Sequence, residues 1–411
     1  MEFITGLYLF VIVVSIYLYS IFLLLLFKNR KELFNHDLSK ISLPTVSILI
    51  PAYNEEDTIA STLNSVLNLD YPKAKMEIIV LNDGSTDSTE KIAGSFKSQG
   101  VKLITKPNSG KADSLNYGIS IAKNEFIAVV DADCYHEKDA LLKLINCFKE
   151  DPNIEAVTSA VRVKNQETLL GKLQFIEYTL IAWARKLLEF INSVYVTPGP
   201  LSVYKKNTLK KLGGFDKNSL TEDIELAWRI LRNNHRIKMC LSAKVYTIVP
   251  TKFRKWWHQR LRWDIGGLQT FAKHRDTLGK PQYGMLGVWV APFYLSSFIL
   301  AVMGFFVWTF ILGRRLILKL LSNFYSLSTD SFILQFKELH LTPSIFTIFG
   351  LMLISVYLLY ITFGLKMMDP GKIPTHRKLT LILYMFFYLA LYPLVFLQSL
   401  FIFFTNKSFK W

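Results

Sequence analysis

Carboxylates at the end of a buried apolar run are the first candidates for chemistry in this chain. Asp131-Ala132-Asp133 follows Phe126–Val130, so the strand is buried and both acids are left at its exit. Such a pair can flank one hard cation, because magnesium takes oxygen ligands and is held by one or two carboxylates together with substrate phosphates. Thr221-Glu222-Asp223 opens a helical stretch that reaches about Asn234. A threonine cap with acids against the helix dipole would explain it, and would lie in solvent. The functional alternative makes Asp223 a general base within hydrogen-bond reach of an acceptor hydroxyl. Gln259-Arg260-Leu261-Arg262-Trp263 lies among Lys252, Arg254, Lys255, Trp256 and Trp257. The stretch reads as an interfacial amphipathic helix, and equally as a site where an indole stacks on a sugar ring while arginines grip phosphate. Asn82–Asp87, at another strand end, is as readily a plain turn as a ligand loop.

These side chains need a frame. Between about Pro44 and Pro250, short apolar runs alternate with helical periodicity, and Val46–Ile50, Glu77–Leu81, Val101–Thr105 and Phe126–Val130 read as strands. The alternation predicts an α/β domain with a mostly parallel sheet and helices on both faces. In such sheets ligands bind outside the carboxyl ends of the strands, where Asn54, Glu55, Asp83, Lys111, Asp131 and Asp133 fall. Ser109-Gly110-Lys111-Ala112 resembles the end of a phosphate-binding loop, but Thr105 replaces its first glycine and Ala112 its metal-binding hydroxyl. No GxGxxG follows the first strand, so ATPase and hydride-transfer readings both lose their support.

The chain has 411 residues, 51% of them hydrophobic, and a formal charge of 48 − 32 = +16. Its mean hydropathy is +0.27, which excludes a disordered or collagen-like chain and implies segments outside water. Leu7–Phe27, Met285–Leu312, Leu341–Leu365 and Leu379–Asn406 carry no charge, and even the shortest would span about 32 Å as a helix. The first reads as a retained anchor, because Glu2 rather than a basic cluster precedes it and its apolar run is too long for a signal peptide. Lys28, Arg30 and Lys31 after it predict a cytoplasmic middle region. Three further spans place the C-terminus outside unless Pro393 breaks the last one, and Gly313–His340 and Lys366–Lys378 are expected as loops. In a membrane chain the basic excess fits an anionic inner leaflet, so no nucleic acid is expected. Cys134, Cys147 and Cys240 lack CxxC spacing and fit a reducing compartment without zinc or disulfides.

In chain order the chain reads PAYNE (Pro51–Glu55), NDGSTD (Asn82–Asp87), GKADSLN (Gly110–Asn116), DAD (Asp131–Asp133), GPLSVYKK (Gly199–Lys206), TED (Thr221–Asp223) and QRLRW (Gln259–Trp263). Together with the membrane layout, this set resembles the family 2 glycosyltransferases, in particular the processive membrane branch. TED with QRLRW and Gly266-Gly267 looks most like bacterial poly-N-acetylglucosamine synthases, with cellulose, chitin and hyaluronan synthases more distant. The resemblance implies a Rossmann-like GT-A domain on the cytosolic face of the plasma membrane. It implies an inverting transfer from a UDP-sugar, UDP-GlcNAc first, to a β-linked polysaccharide that leaves through the membrane spans.

By the same resemblance Ala52, Tyr53, Glu55 and Asp83 hold the uridine, and Lys111 sits near the donor. Asp131 and Asp133 position Mg2+ or Mn2+ and the diphosphate, with Asp133 as the direct ligand. Asp223 is the base, Gln259, Arg260 and Arg262 hold the diphosphate region, and Trp263, with Glu222, meets the acceptor. The expected layout is an anchor and basic linker at 1–43, the GT-A domain at 44–250, interfacial helices at 251–284 and a membrane region at 285–411. The gating loop of cellulose synthases has no counterpart after Trp263, and the tail Lys407–Trp411 is a candidate shortened one. The partners expected are a polysaccharide or lipid-linked acceptor, the bilayer, and an accessory membrane or export subunit. The competing readings are a non-processive transferase acting on a membrane lipid, a transporter, and a non-catalytic binding subunit. The complete acid set weighs against the last, and spans without internal charges against the transporter.

Overall fold

The apolar runs of the middle region fold as strands because both of their faces are covered. In the computed structural model, which describes residues 2–34, 43–328, 345–368 and 375–405, every residue of the first strand is buried. The strands are β1 (Val46–Ala52), β2 (Met76–Asn82), β3 (Val101–Thr105), β4 (Phe126–Val129), β5 (Cys134–His136), β6 (Ile154–Val163), β7 (Ser202–Lys205) and β8 (Arg236–Thr247). They form one eight-stranded sheet in the order β3-β2-β1-β4-β7-β6-β8-β5. The β1 strand runs parallel to β2 and β4, with Ile48 opposite Ile78 and Ala128. Parallel pairing also joins β2 to β3 and β6 to β8. The short β7 is antiparallel to both β4 and β6, and β5 is antiparallel to β8. The sheet is therefore mixed but mostly parallel, as the alternation predicts.

The helices in chain order are α1 (Glu2–Asn29), α2 (Ile59–Leu67), α3 (Thr89–Gly94), α4 (Lys111–Ile121), α5 (Ala140–Cys147), α6 (Leu169–Glu189) and α7 (Lys206–Lys211). They continue as α8 (Glu222–Arg232), α9 (Phe253–Lys273), α10 (Ala291–Ser328), α11 (Ile345–Met368), α12 (Thr375–Leu383) and α13 (Leu389–Phe404). The α2 helix shows the logic of the sheet-covering helices: Ile59, Leu63 and Val66 recur at helical spacing and are fully buried. At the start of α6, Thr168 Oγ1 accepts from Gly171 N at 3.0 Å, which satisfies one of the free amides of the first turn.

Among the described residues, four helices are long and apolar enough to cross a membrane: Phe3–Asn29, Leu286–Tyr325, Ile348–Met368 and Leu379–Phe404. One expectation is corrected here. Residues 313–328, read as the start of a loop, continue α10 as helix through Arg314, Arg315 and Lys319. Pro393 lies inside α13 without ending it, after a π-helical turn at Tyr384–Tyr388. The tail Lys407–Trp411 lies outside the described residues, as do residues 329–340 of the expected loop, Lys337 among them. The chain divides into two compact units, Met1–Leu25 with Phe293–Phe363, and Leu26–Pro292 with Gly364–Trp411. The second holds the whole sheet together with α6, α8, α9, α12 and α13.

Candidate active site

The carboxyl ends of β1, β2 and β4 deliver the motif residues to one side of the sheet. Beyond β1, Ala52 is buried, Tyr53 is 48% exposed and Asn54 turns the chain with φ of 55°. Asn54 Oδ1 accepts from Thr86 N at 2.8 Å, so the PAYNE turn and the NDGSTD turn are tied to each other. Glu55 Oε2 accepts from Thr58 Oγ1 at 2.7 Å. Burial raises the Glu55 carboxyl above its ordinary range, and the charges of Asp133, Asp131 and Asp87 add to the rise.

Asp83, at the end of β2, is only 3% exposed, which a plain turn does not require. Its Oδ1 accepts from Lys106 Nζ at 2.5 Å, Ser114 Oγ at 2.9 Å and Ser109 N at 3.1 Å, and its Oδ2 from Gly110 N at 2.8 Å. Burial alone would raise this carboxyl, but these donors outweigh it and hold it below the usual range. The result fixes the loop before α4, and with it the position of Lys111 at the helix start. One lone pair on Oδ2 is left for a further donor.

Lys111 is the hub of the site. Its Nζ lies 2.8 Å from Asp131 Oδ1 and 3.0 Å from Glu222 Oε1, so one cation joins the exit of β4 to the start of α8. Burial would lower the Lys111 ammonium, yet Asp131 and Glu222 override that and keep it firmly charged. Gly199 makes room for the pair, because a Cβ there would lie 2.5 Å from both Asp131 carboxylate oxygens and 2.7 Å from Lys111 Nζ. Its carbonyl accepts from Asp131 N at 3.1 Å.

Asp131, Asp133 and Cys134 offer ligand atoms within 4.8 Å of one another. Burial and the charge of Asp133 push the Cys134 thiol well up, so it stays neutral, and a hard cation would be left with the two carboxylates. Asp133 Oδ1 accepts from Cys134 Sγ at 3.2 Å, and burial followed by the Asp131 charge raises its pKa. Two neighbouring carboxylates repel each other and a shared divalent ion would offset that repulsion, so the donor set fits Mg2+ or Mn2+.

The TED residues are not an exposed cap. Thr221 is 2% and Glu222 7% exposed, and Thr221 makes no side-chain cap. Asp223 Oδ1 accepts from Ile224 N at 2.9 Å, and its backbone carbonyl accepts from Thr197 Oγ1 at 3.1 Å. Burial and the neighbouring Glu222 charge push the Asp223 carboxyl up to about 6, against the pull of Lys111 and Arg262. For Glu222 the balance is opposite: burial raises it, but Lys111 brings it below the ordinary range. Two adjacent carboxyls are thus driven apart, a pattern that assigns different roles to each. Glu222, expected toward the acceptor, spends its charge on Lys111.

The QRLRW residues lie on α9, which meets α8 closely at Gly266, where an added Cβ would strike the Thr221 side chain. Arg262 Nη1 reaches Leu220 O at 3.4 Å, and its charge acts on both Glu222 and Asp223. Trp263 packs its ring 6.1 Å from that of Tyr178 on α6, and Arg260 Cζ lies 4.2 Å from its centroid. Arg260 departs from the expectation. It is 1% exposed, donates to Gln259 Oε1 at 2.5 Å, and is ion-paired with Glu177 of α6, which also accepts from Tyr388 and Tyr392. A guanidinium enclosed in this way anchors α9 and offers no open face to a diphosphate. Arg262 faces the TED acids, while Gln259 is engaged with Arg260. Sequence reading missed Glu177, whose signal was a lone acid within the apolar periodicity of α6.

Residues 47–213 match the family model described as Glycosyl transferase family 2. The poly-beta-1,6-N-acetyl-D-glucosamine synthase of Staphylococcus epidermidis is 36% identical over 231 residues, 56% of each chain. The synthase of the same name from Staphylococcus aureus strain MSSA476 is 35% identical over 265 residues, 64% of this chain. The chain thus spans 56% to 63% of the length of these relatives. The mannosyltransferase PcManGT from Pyrobaculum calidifontis, solved in complex with GDP-Man and Mn2+, is similar over 98% of this chain and 100% of its own, with a TM-score of 0.59 and 18% identity. That likeness is one of fold, a mostly parallel GT-A-type sheet. Motifs, sheet and sequence similarity agree, and residues 47–213 form a family 2 glycosyltransferase domain, similar in sequence to the poly-β-1,6-N-acetylglucosamine synthases.

Proposed function

We propose that this protein transfers N-acetylglucosamine from UDP-GlcNAc to a growing β-linked polysaccharide, with inversion at the anomeric carbon, and passes the product through its own membrane helices. The observation that carries the reading is the Lys111 hub, which brings the DAD acids and the TED acids together with Asp223 raised to about 6. The choice of donor and product is supported by the names of the staphylococcal relatives. Nucleotide sugar and metal use is supported by what the Pyrobaculum structure contains.

In this reading Ala52, Tyr53, Glu55 and Asp83 cradle the uridine at the ends of β1 and β2. Asp131 and Asp133 would hold Mg2+ or Mn2+, which would supply neutralisation of the diphosphate charge. Arg262 adds a positive charge beside the leaving group, while Lys111 keeps Asp131 and Glu222 in place. Asp223 takes the proton from the acceptor hydroxyl as the anomeric carbon passes through an oxocarbenium-like state. A single displacement needs no carboxylate nucleophile, so the product is inverted. Trp263 stacks the acceptor sugar. The sheet-bearing region, 44–250, lies on the cytoplasmic side of the plasma membrane, where Lys28, Arg30 and Lys31 are retained.

The test is incorporation from a panel of labelled UDP-sugars by the protein in nanodiscs, with Mg2+, Mn2+ or EDTA, and sizing of the product. The reading predicts metal-dependent high-mass product from UDP-GlcNAc. A single sugar on extractable lipid would replace polymer synthesis by lipid glycosylation, and no transfer from any UDP-sugar would overturn the donor class.

A further inference from the structure

Two buried polar atoms on the helices that carry Trp263 and its neighbour Tyr178 have no partner among the described residues. One is Asp264 Oδ2 on α9 and the other is Arg185 Nη1 on α6. Neither side chain belongs to the motif set. Asp264 continues the stripe Trp256–Arg260–Asp264 along α9 at helical spacing. The first two members of that stripe are satisfied within the protein, Trp256 Nε1 by Tyr388 Oη at 2.6 Å and Arg260 by Glu177. The third is not.

On α6, Arg185 lies two turns beyond Tyr178 and on the same face, and Tyr178 is the ring beside Trp263. The ionisable groups whose charges reach Arg185 are Tyr195, Asp223 and Tyr178, and those that reach Asp264 are Arg260 and Glu177. The two orphaned atoms thus lie on the two helices that carry the Trp263–Tyr178 pair, Arg185 within electrostatic reach of Asp223 and Asp264 within reach of Arg260 and Glu177. Both residues are half-buried as a whole, while the orphaned atoms themselves are covered.

A buried carboxylate oxygen or guanidinium N–H without a partner is costly, and such atoms persist where a ligand completes them. Sugar hydroxyls and acetamido groups are donors and acceptors at once, which matches one unfilled acceptor and one unfilled donor. We propose that Asp264 and Arg185 are acceptor-chain binding residues, Asp264 Oδ2 accepting from and Arg185 Nη1 donating to the hydroxyl or acetamido groups of the sugar stacked on Trp263. This rests on the glycosyltransferase reading and deepens it by adding two specificity-determining residues. Burial holds the Asp264 carboxyl up at about 7, so donors from a ligand are enough to bring it to the ionised, accepting form.

The test compares wild type with Asp264→Leu, Asp264→Asn and Arg185→Gln in nanodiscs. The readouts are KM for β-linked N-acetylglucosamine oligomers, the rate of UDP release without acceptor, and thermal stability. Asp264→Leu and Arg185→Gln are expected to raise the acceptor KM about tenfold or more, the usual loss for a hydrogen bond to a charged group. UDP release should change by less than about twofold, and stability should hold or rise, since no protein partner is removed. Asp264→Asn keeps a carbonyl acceptor and should fall between. An unchanged acceptor KM in both Asp264→Leu and Arg185→Gln overturns the assignment, and so does an equal fall in UDP release and transfer with lowered stability. Absence of transfer by the wild type itself would instead strike the glycosyltransferase reading.

Discussion

Asp223 and Glu222 are neighbours in sequence with opposite electrostatics, and the difference is set by one lysine. Lys111 pairs with Glu222, while Asp223 keeps the penalty of burial and feels its neighbour's charge. A carboxyl held at about 6 is mostly ionised at neutral pH and becomes protonated as the pH falls, so if Asp223 is the base proposed above, turnover declines on the acid side of that value. Glu222→Gln removes a like charge and frees Lys111 to act on Asp223. Both effects favour the Asp223 carboxylate, so the acid limb of the pH–rate profile should move to lower pH. An unmoved limb would mean that another group sets it. Trp263→Ala should impair acceptor use more than donor binding, because the contact is stacking; equal loss of UDP release and transfer with the fold intact would remove Trp263 from the acceptor role.

At the scale of elements, close approach sets the geometry. Gly199 lets β7 begin against the Asp131–Lys111 pair, and Gly266 lets α9 press on Thr221 at the head of α8. Gly199→Ala would place a methyl group 2.5 Å from the Asp131 carboxylate and should raise the metal concentration needed for half-maximal transfer, with far less effect on thermal stability. Titration of Mn2+ against initial rate checks this. The first four strands were legible because their runs are short and mainly apolar between turn residues, and the observed bounds of β1 to β4 differ from the sequence reading by at most two residues, those of β3 not at all. The TED helix was legible as a helix but not as a buried one, since its burial comes from Lys111 and α9, which lie far away in sequence. The run of α10 past Gly313 was missed because Arg314 and Arg315 look like the end of an apolar span, and helical hydrogen bonding does not stop where hydropathy does.

Across the whole sheet-bearing unit, the last apolar segment is tied to the site through one acid. Glu177 collects Arg260 from α9 together with Tyr388 and Tyr392, and Trp257 Nε1 donates to Gln398 Oε1 at 2.7 Å. The partner of Arg260 lies 83 residues earlier in the chain, which no local pattern reveals, and this is why the arginine read as a phosphate ligand. Arg260→Met alone leaves Glu177 buried without its counter-charge and should cost about 3–5 kcal/mol of stability, whereas adding Glu177→Leu should recover much of it. Thermal melts of the single and double variants in detergent distinguish this from a diphosphate-binding role, in which the single change would spare stability and weaken UDP binding. The site turns on the Lys111 hub and on Asp223 as its proposed base, and the most direct measurement is a side-by-side assay of wild type and Asp223→Asn for sugar transfer from UDP-GlcNAc and for UDP binding. The prediction is a fall in transfer of roughly 10²- to 10⁴-fold with UDP binding retained. Undiminished transfer by Asp223→Asn would contradict it.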